Sequence, residues 1–133
     1  MLLPGAAAER LAQAPGPYLG DLGPHQVQLY RVGVHHLLGQ DALAVRIGRR
    51  IDPRALPNSE RRARLGTDTA RALLAQADYG QALEQLLAVE AAAPQEAARP
   101  SLRALTADLL VRRPHLVGLQ DFAARTGAVS PLH

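Results

Sequence analysis

Val27, Tyr30, Val34 and Leu37 recur at i, i+3, i+7 and i+10. That spacing marks one face of a 3.6-residue helix and predicts an amphipathic helix over about Gln26 to Leu38, ended by Gly39. A second run, Asp41 to Ile51, enters "IDPRALPNSE", where Pro53 and Pro57 forbid continuation and Asn58 or Ser59 offers the next N-cap ahead of Glu60. The following helix has a stripe of mostly small residues, Ala63, Gly66, Ala70, Leu73 and Ala77, which lets a neighbouring helix come close. Asp78 with Gln81 is an acidic version of the capping box, so a new helix starts at Tyr79 and carries Ala82, Leu83, Leu86 and Ala93 toward Pro94. Beyond an "APQEAARP" loop, Leu102, Leu105 and Leu109 mark another helix, and Leu116 to Thr126 a last one with Gly127 as its left-handed cap. Ile, Val and Thr nowhere alternate with polar residues over a useful length, so no strand is expected.

The N-terminal stretch divides from the rest. Residues 1–20 read as an alanine-rich helix over about Ala6 to Ala14 followed by a Pro/Gly-rich loop, and residues 21–133 as one helical domain. Pro4, Glu9 and Arg10 interrupt the first residues, which resemble neither a signal peptide nor an anchor. No apolar run approaches the roughly 18 residues of a membrane span, so the expectation is a cytoplasmic protein without membrane contact.

With 133 residues, 47% of them hydrophobic, the chain can bury one ordinary core. It has no cysteine, which removes disulfides and thiolate metal sites. All fifteen basic residues are arginine, and eight of them lie between Arg46 and Arg71, opposed there only by Asp52, Glu60 and Asp68. A basic patch or an arginine-rich solvated helix face are both open readings of that run. Only Tyr18, Tyr30, Tyr79 and Phe122 are aromatic, a poor supply for stacking unpaired bases. His35 and His36 are adjacent, point about 100 degrees apart on a helix, and have no His or carboxylate at i+4, so no metal site is expected. Ser-His-Asp order, a phosphate-cradling glycine loop and paired catalytic carboxylates do not stand out either, and neither an enzyme nor a cofactor is expected. The closing "LQDFAARTGAVSPLH" resembles the first half of a helix-turn-helix. Too little follows the Gly127 turn for a recognition helix, so it reads as a docking helix.

Successive helix pairs with apolar residues on several faces point to stacked repeats. The best unit, "RRARLGTDTARALLAQADYGQALEQLLAVEAAAP", resembles a tetratricopeptide repeat through Ala70, Leu73, Tyr79, Ala82, Leu86 and Pro94. It departs from the pattern at Gly66, where a large aromatic is expected. More specifically, "DLGPHQVQLYRVGVHHLLG", the "LPNSERRAR" loop, the "ADYGQALEQLLAVEAAAPQE" pair and "LQDFAARTGAV" are similar to the C-terminal repeat region of actinobacterial transcriptional regulators of the XRE helix-turn-helix type, over about Asp21 to Val129. The resemblance implies an all-α fold of antiparallel helix hairpins stacked as a short, right-handed, tetratricopeptide-like solenoid. It also implies a non-catalytic dimerisation and effector-sensing module, with DNA read by a separate N-terminal half that this chain is expected to lack. DNA contact is then expected only through such a domain, or weakly.

In such arrays one face of each first helix lines a concave groove. Shifting each apolar stripe by one residue places Gln28, Arg31 and His35, then Arg64, Thr67 and Arg71, then Arg103 and Thr106 on that face. Guanidinium forks suit carboxylates and peptide carbonyls, so the expected partner is a peptide, a small acidic effector or another protein chain. The plainer alternative is that the arginines solvate an outer face, or pair with Asp68 and Asp108 across the hairpins. A second alternative is direct nucleic-acid contact through the Arg46 to Arg71 cluster. A homodimer is expected, because the ends of a short array lack a next repeat: the last helix offers Leu116, Leu119, Phe122 and Ala123, some of which can stay exposed, and the Ala6 to Ala14 helix is a thin cap.

Overall fold

The computed structural model describes residues 23–128. The Ala6 to Ala14 helix, the boundary at residue 20 and the Ser130 to His133 tail fall outside them. Among the described residues the chain is all-α, with no strand. Its helices are α1 (Pro24–Leu37), α2 (Asp41–Arg50), α3 (Ser59–Ala75), α4 (Tyr79–Ala92), the single turn α5 (Pro94–Ala97), α6 (Pro100–Arg112) and α7 (Leu119–Thr126), and a 3-10 turn, Pro53–Ala55, precedes α3.

Local chemistry accounts for most of the boundaries. Pro24, Pro94 and Pro100 open their helices, where a missing N–H costs no internal bond. Asn58 caps α3, its Oδ1 accepting from the Arg61 amide at 2.8 Å. Asp78 is the N-cap residue of α4, but its side chain makes no capping bond, so the acidic capping box does not form. Three helices end in the same pair of backbone bonds, the Schellman arrangement with a left-handed residue just past the end. At α1 the amides of Gly39 and Gln40 donate to His36 and His35, at α3 those of Ala77 and Asp78 donate to Leu74 and Leu73, and at α7 those of Gly127 and Ala128 donate to Ala124 and Ala123. Gly39 and Gly127 take the left-handed conformation freely. Ala77 is forced into it at φ 60°, so it leaves the helix stripe assigned to it from sequence.

α3 is the centre of the fold. It packs on α1, α2, α4, α5 and α6, and accordingly Ala63, Leu65, Gly66, Thr67, Asp68, Thr69, Ala70, Ala72 and Leu73 are all buried. Small residues make this close packing possible. A Cβ on Gly66 would lie 2.5 Å from Val89 Cγ2 of α4, and a Cβ on Gly48 of α2 would lie 2.5 Å from Thr69 Oγ1 of α3. Leu29, Leu73, Leu86, Leu109, Leu119 and Phe122 are the large side chains of one continuous core. α1 also packs on α2, and α4 and α7 both pack on α6. Arg125 of α7 reaches Glu90 of α4 through two bonds, 2.8 and 3.1 Å.

Three expectations change here. α1 turns inward Val27, Leu29, Val32 and His35, while Tyr30 is 40% exposed and Leu37 84% exposed. Because α1 touches both α2 and α3, its buried face is wider than one stripe and is centred about a residue away from the predicted one. The "APQEAARP" segment contains the turn α5, which buries Glu96 and Ala97. Finally, Leu119, Phe122 and Ala123 of α7 are fully buried, and the exposed side of that helix is Gln120, Asp121, Ala124 and Arg125. α7 therefore closes its end of the core with a polar face, and of the four expected residues only Leu116, ahead of the helix, stays partly exposed.

Candidate functional site

An open cleft of about 330 Å³ lies over the N-terminal half of α3, with Tyr30 of α1 on one side and Glu96, Arg99, Ser101 and Leu102 of the α5–α6 region on the other. α3 itself contributes Glu60, Arg61, Arg64, Thr67, Asp68 and Arg71. A second cleft, about 360 Å³, continues along the same helix past Arg71 to Leu74 and Ala75, walled by His36 of α1 and by Leu105, Asp108 and Arg112 of α6. The two share Arg71. Together they follow α3 from its first turn to its last, between α1 and α6.

The first cleft is built on two buried carboxylates. Asp68 is 91% covered at its side chain, since that side chain is 9% exposed. Its Oδ1 accepts from Arg71 Nη1 at 2.9 Å, and Oδ2 lies 3.6 Å from Arg64 Nε without a hydrogen bond. Burial pushes the Asp68 carboxyl above its ordinary range, and the charges of Arg64 and Arg71 oppose that shift without cancelling it. Glu96 Oε1 accepts from Arg99 Nη2 at 3.1 Å, and Oε2 is ion-paired with Arg99 Nε. The carboxylates lie inside and the guanidiniums outside, so the surface of the cleft is mostly guanidinium. Each arginine has donors left over after its ion pair, and Arg64 also lies over the Tyr30 ring at 5.6 Å.

The groove residues expected from sequence divide accordingly. Arg64, Thr67 and Arg71 line the first cleft as expected. Thr67 is nearly buried and returns its hydroxyl to the Ala63 carbonyl. Gln28 and Arg31 bond to each other at 3.2 Å and line neither cleft. His35 is buried with Nδ1 2.6 Å from Gln40 Oε1. These three follow from the misplaced stripe of α1, and the positions of α1 that do reach the clefts are Tyr30 and His36. On α6, Thr106 is fully buried and donates to the Leu102 carbonyl, and Arg103 runs along the α7 side toward Gly127. Leu105, Asp108 and Arg112 occupy the cleft side instead.

The pairing expected across the hairpins forms instead within single helices: Arg64 and Arg71 pair with Asp68, and Arg112 with Asp108 at 2.8 Å. Glu96 and Arg99 were missed because their segment was read as loop. Pro94, the N1 proline of α5, was the available signal, with an i, i+3 acid–arginine pair just behind it.

Among the described residues no group of three or more His, Asp or Glu side chains is arranged to hold a metal ion. His36 instead pairs with Asp41, Nδ1 to Oδ1 at 2.6 Å. The Arg46 to Arg71 run does not form one surface. Arg46, Arg49 and Arg50 are exposed on α2, whereas Arg61, Arg64 and Arg71 belong to the α3 cleft. No described helix is long and apolar enough to cross a membrane. No family model, curated protein or solved structure matches this chain.

Proposed function

We propose that this chain is a non-catalytic interaction module, and that the cleft along α3 takes up an anionic ligand: an acidic peptide, a small acidic effector or an acidic segment of a partner protein. The observation that carries this reading is the arrangement of Arg61, Arg64, Arg71 and Arg99 around one open cleft, three of them held by carboxylates beneath. A guanidinium oriented by a buried acid loses little further freedom when it binds, which is the condition for useful affinity from exposed charges. Tyr30 adds a half-exposed ring beside Arg64.

The tetratricopeptide-like solenoid belongs to the same proposal. α1 packs on α2 and α3, α3 on α4 and α6, and α6 on α7, the neighbour order expected of three hairpins stacked through their first helices. Ala70, Leu73, Ala82 and Leu86 are buried, as the repeat assigns them. A cleft between first helices is where such an array binds. A sensing role in a regulator of the XRE type, in a cytoplasmic setting, is the wider reading that the resemblance supports.

The structure changes which variant tests this. Reversing Arg64 and Arg71 together would leave buried Asp68 beside two new acids and endanger the fold. Arg61 lines the cleft without an ion pair among the described residues, so Arg61→Glu removes a cation without exposing a buried charge. We expect a fluorescein-labelled octapeptide rich in Asp and Glu to bind with a salt-sensitive anisotropy change. Arg61→Glu should weaken binding about tenfold, ~1.4 kcal/mol, with unchanged circular dichroism. Equal binding of a Lys-rich octapeptide, or no effect of Arg61→Glu, would refute the proposal.

A further inference from the structure

We propose that the outer face of α2 is a second, separate surface that holds the phosphate backbone of duplex nucleic acid without reading its sequence. The exposed positions of α2 are Ala42, Arg46, Arg49 and Arg50. The three arginines fall at i, i+3 and i+4, neighbours on one helical face with roughly 5–6 Å between Cβ atoms. Among the described residues none of these guanidiniums makes an ion pair or a side-chain hydrogen bond. By contrast Arg54, Arg64, Arg71, Arg99, Arg112 and Arg125 each sit on a carboxylate. The acid on α2, Asp41, is at its first turn and is occupied by His36. The stripe is therefore of a single sign and unneutralised. Arg49 and Arg50 lie in the last turn, where a cation also favours the helix dipole, but Arg46 lies before that turn and has no such role.

The composition of this face selects its occupant. A protein interface has an apolar centre, and α2 exposes no side chain of that kind larger than alanine. The exposed large apolar residues, Tyr30, Leu37, Leu38, Val111 and Val117, all lie on other elements. Single strands are held by aromatic stacking, and α2 has no aromatic residue. Charge without stacking or apolar anchoring is the chemistry of a duplex backbone, where counterion release supplies the affinity.

The test uses the full chain and a 20-base-pair duplex of random sequence, with anisotropy measured from about 25 to 150 mM salt. Each phosphate contact contributes about −0.9 to the slope of log affinity against log salt. The Arg46→Gln, Arg49→Gln, Arg50→Gln triple variant should lose roughly 2–3 of that slope, whereas Arg112→Gln with Arg125→Gln should change it little. Should the triple variant fold poorly by circular dichroism, each single variant should lose about 0.9. An unchanged slope in the α2 variants would overturn the inference. So would tighter binding of single strands than of the duplex, or binding confined to phosphatidylserine vesicles. Loss of duplex binding with acidic-peptide binding intact, and the reverse for Arg61→Glu, keeps this surface distinct from the cleft.

Discussion

Gly66→Ala sets two opposed effects against each other at one position. In a helix interior alanine is favoured over glycine by about 1 kcal/mol, and Gly66 has ordinary helical backbone, so propensity alone would stabilise the protein. Packing opposes it. The new Cβ would stand 2.5 Å from Val89 Cγ2 and 3.4 Å from the Gln85 carbonyl oxygen. Val89 is 3% exposed and β-branched, with few rotamers to retreat into, and the Gln85 carbonyl is backbone and cannot turn aside. Overpacking of this kind costs about 1–3 kcal/mol, and with both neighbours fixed the upper half of that range applies. The net expectation is a loss of about 1–2 kcal/mol after the propensity gain. Urea unfolding followed by far-ultraviolet circular dichroism measures it, as a midpoint lowered by roughly 1 M at an unchanged slope. Gly80→Ala is the internal control. It is also helical, but nothing lies within 4 Å of its Cβ position, so it should stabilise by up to about 1 kcal/mol. Val89→Ala should relieve the clash, so the Gly66→Ala, Val89→Ala double variant should be less destabilised than the sum of the singles by at least ~0.5 kcal/mol. A Gly66→Ala protein as stable as wild type, or additive singles, would refute the close approach of α3 and α4.

Ala77→Gly should stabilise by about 0.5–1 kcal/mol in the same assay, because it relieves a left-handed alanine at the end of α3; a loss of stability would show that the turn is held differently. Asp68→Asn probes the buried carboxylate through pH. The folded-state pKa of Asp68 is raised, so the full stability of the wild type is present below the ordinary carboxylate range and declines as pH rises through the folded value. Relative to wild type, Asp68→Asn should therefore gain stability from about pH 3 to pH 7, measured as the difference in unfolding midpoints, and the opposite trend would show that the Arg64 and Arg71 pairs outweigh burial.

The helix boundaries were legible because they depend on residues close in the chain. Asn58 needs only the Arg61 amide, and Gly39 and Gly127 need only a left-handed turn after the last helical residue. The small-residue stripe of α3 acts at the same range, so the close approach at Gly66 was expected and is present, whereas Pro24, Pro94 and Pro100 open helices that the apolar pattern does not start there. The absence of alternation likewise excluded strands among the described residues.

Which face of a helix turns inward depends on how many neighbours it meets, and that is a property of the assembled chain. α1 meets two helices, so its buried face widened beyond the predicted stripe, burying His35 and leaving Tyr30 and Leu37 exposed. The same one-residue displacement removed Gln28, Arg31 and His35 from the expected groove. α3 meets five helices, which is why Asp68, a surface residue by its chemistry, is buried beneath Arg64 and Arg71 and becomes the foundation of the cleft. Glu96 and Arg99 reached the same site only when α5 folded against α3, α4 and α6. One arginine-rich run in the sequence thus became two surfaces, because α2 and α3 turn different residues toward the core: Arg46, Arg49 and Arg50 on one, Arg61, Arg64 and Arg71 on the other.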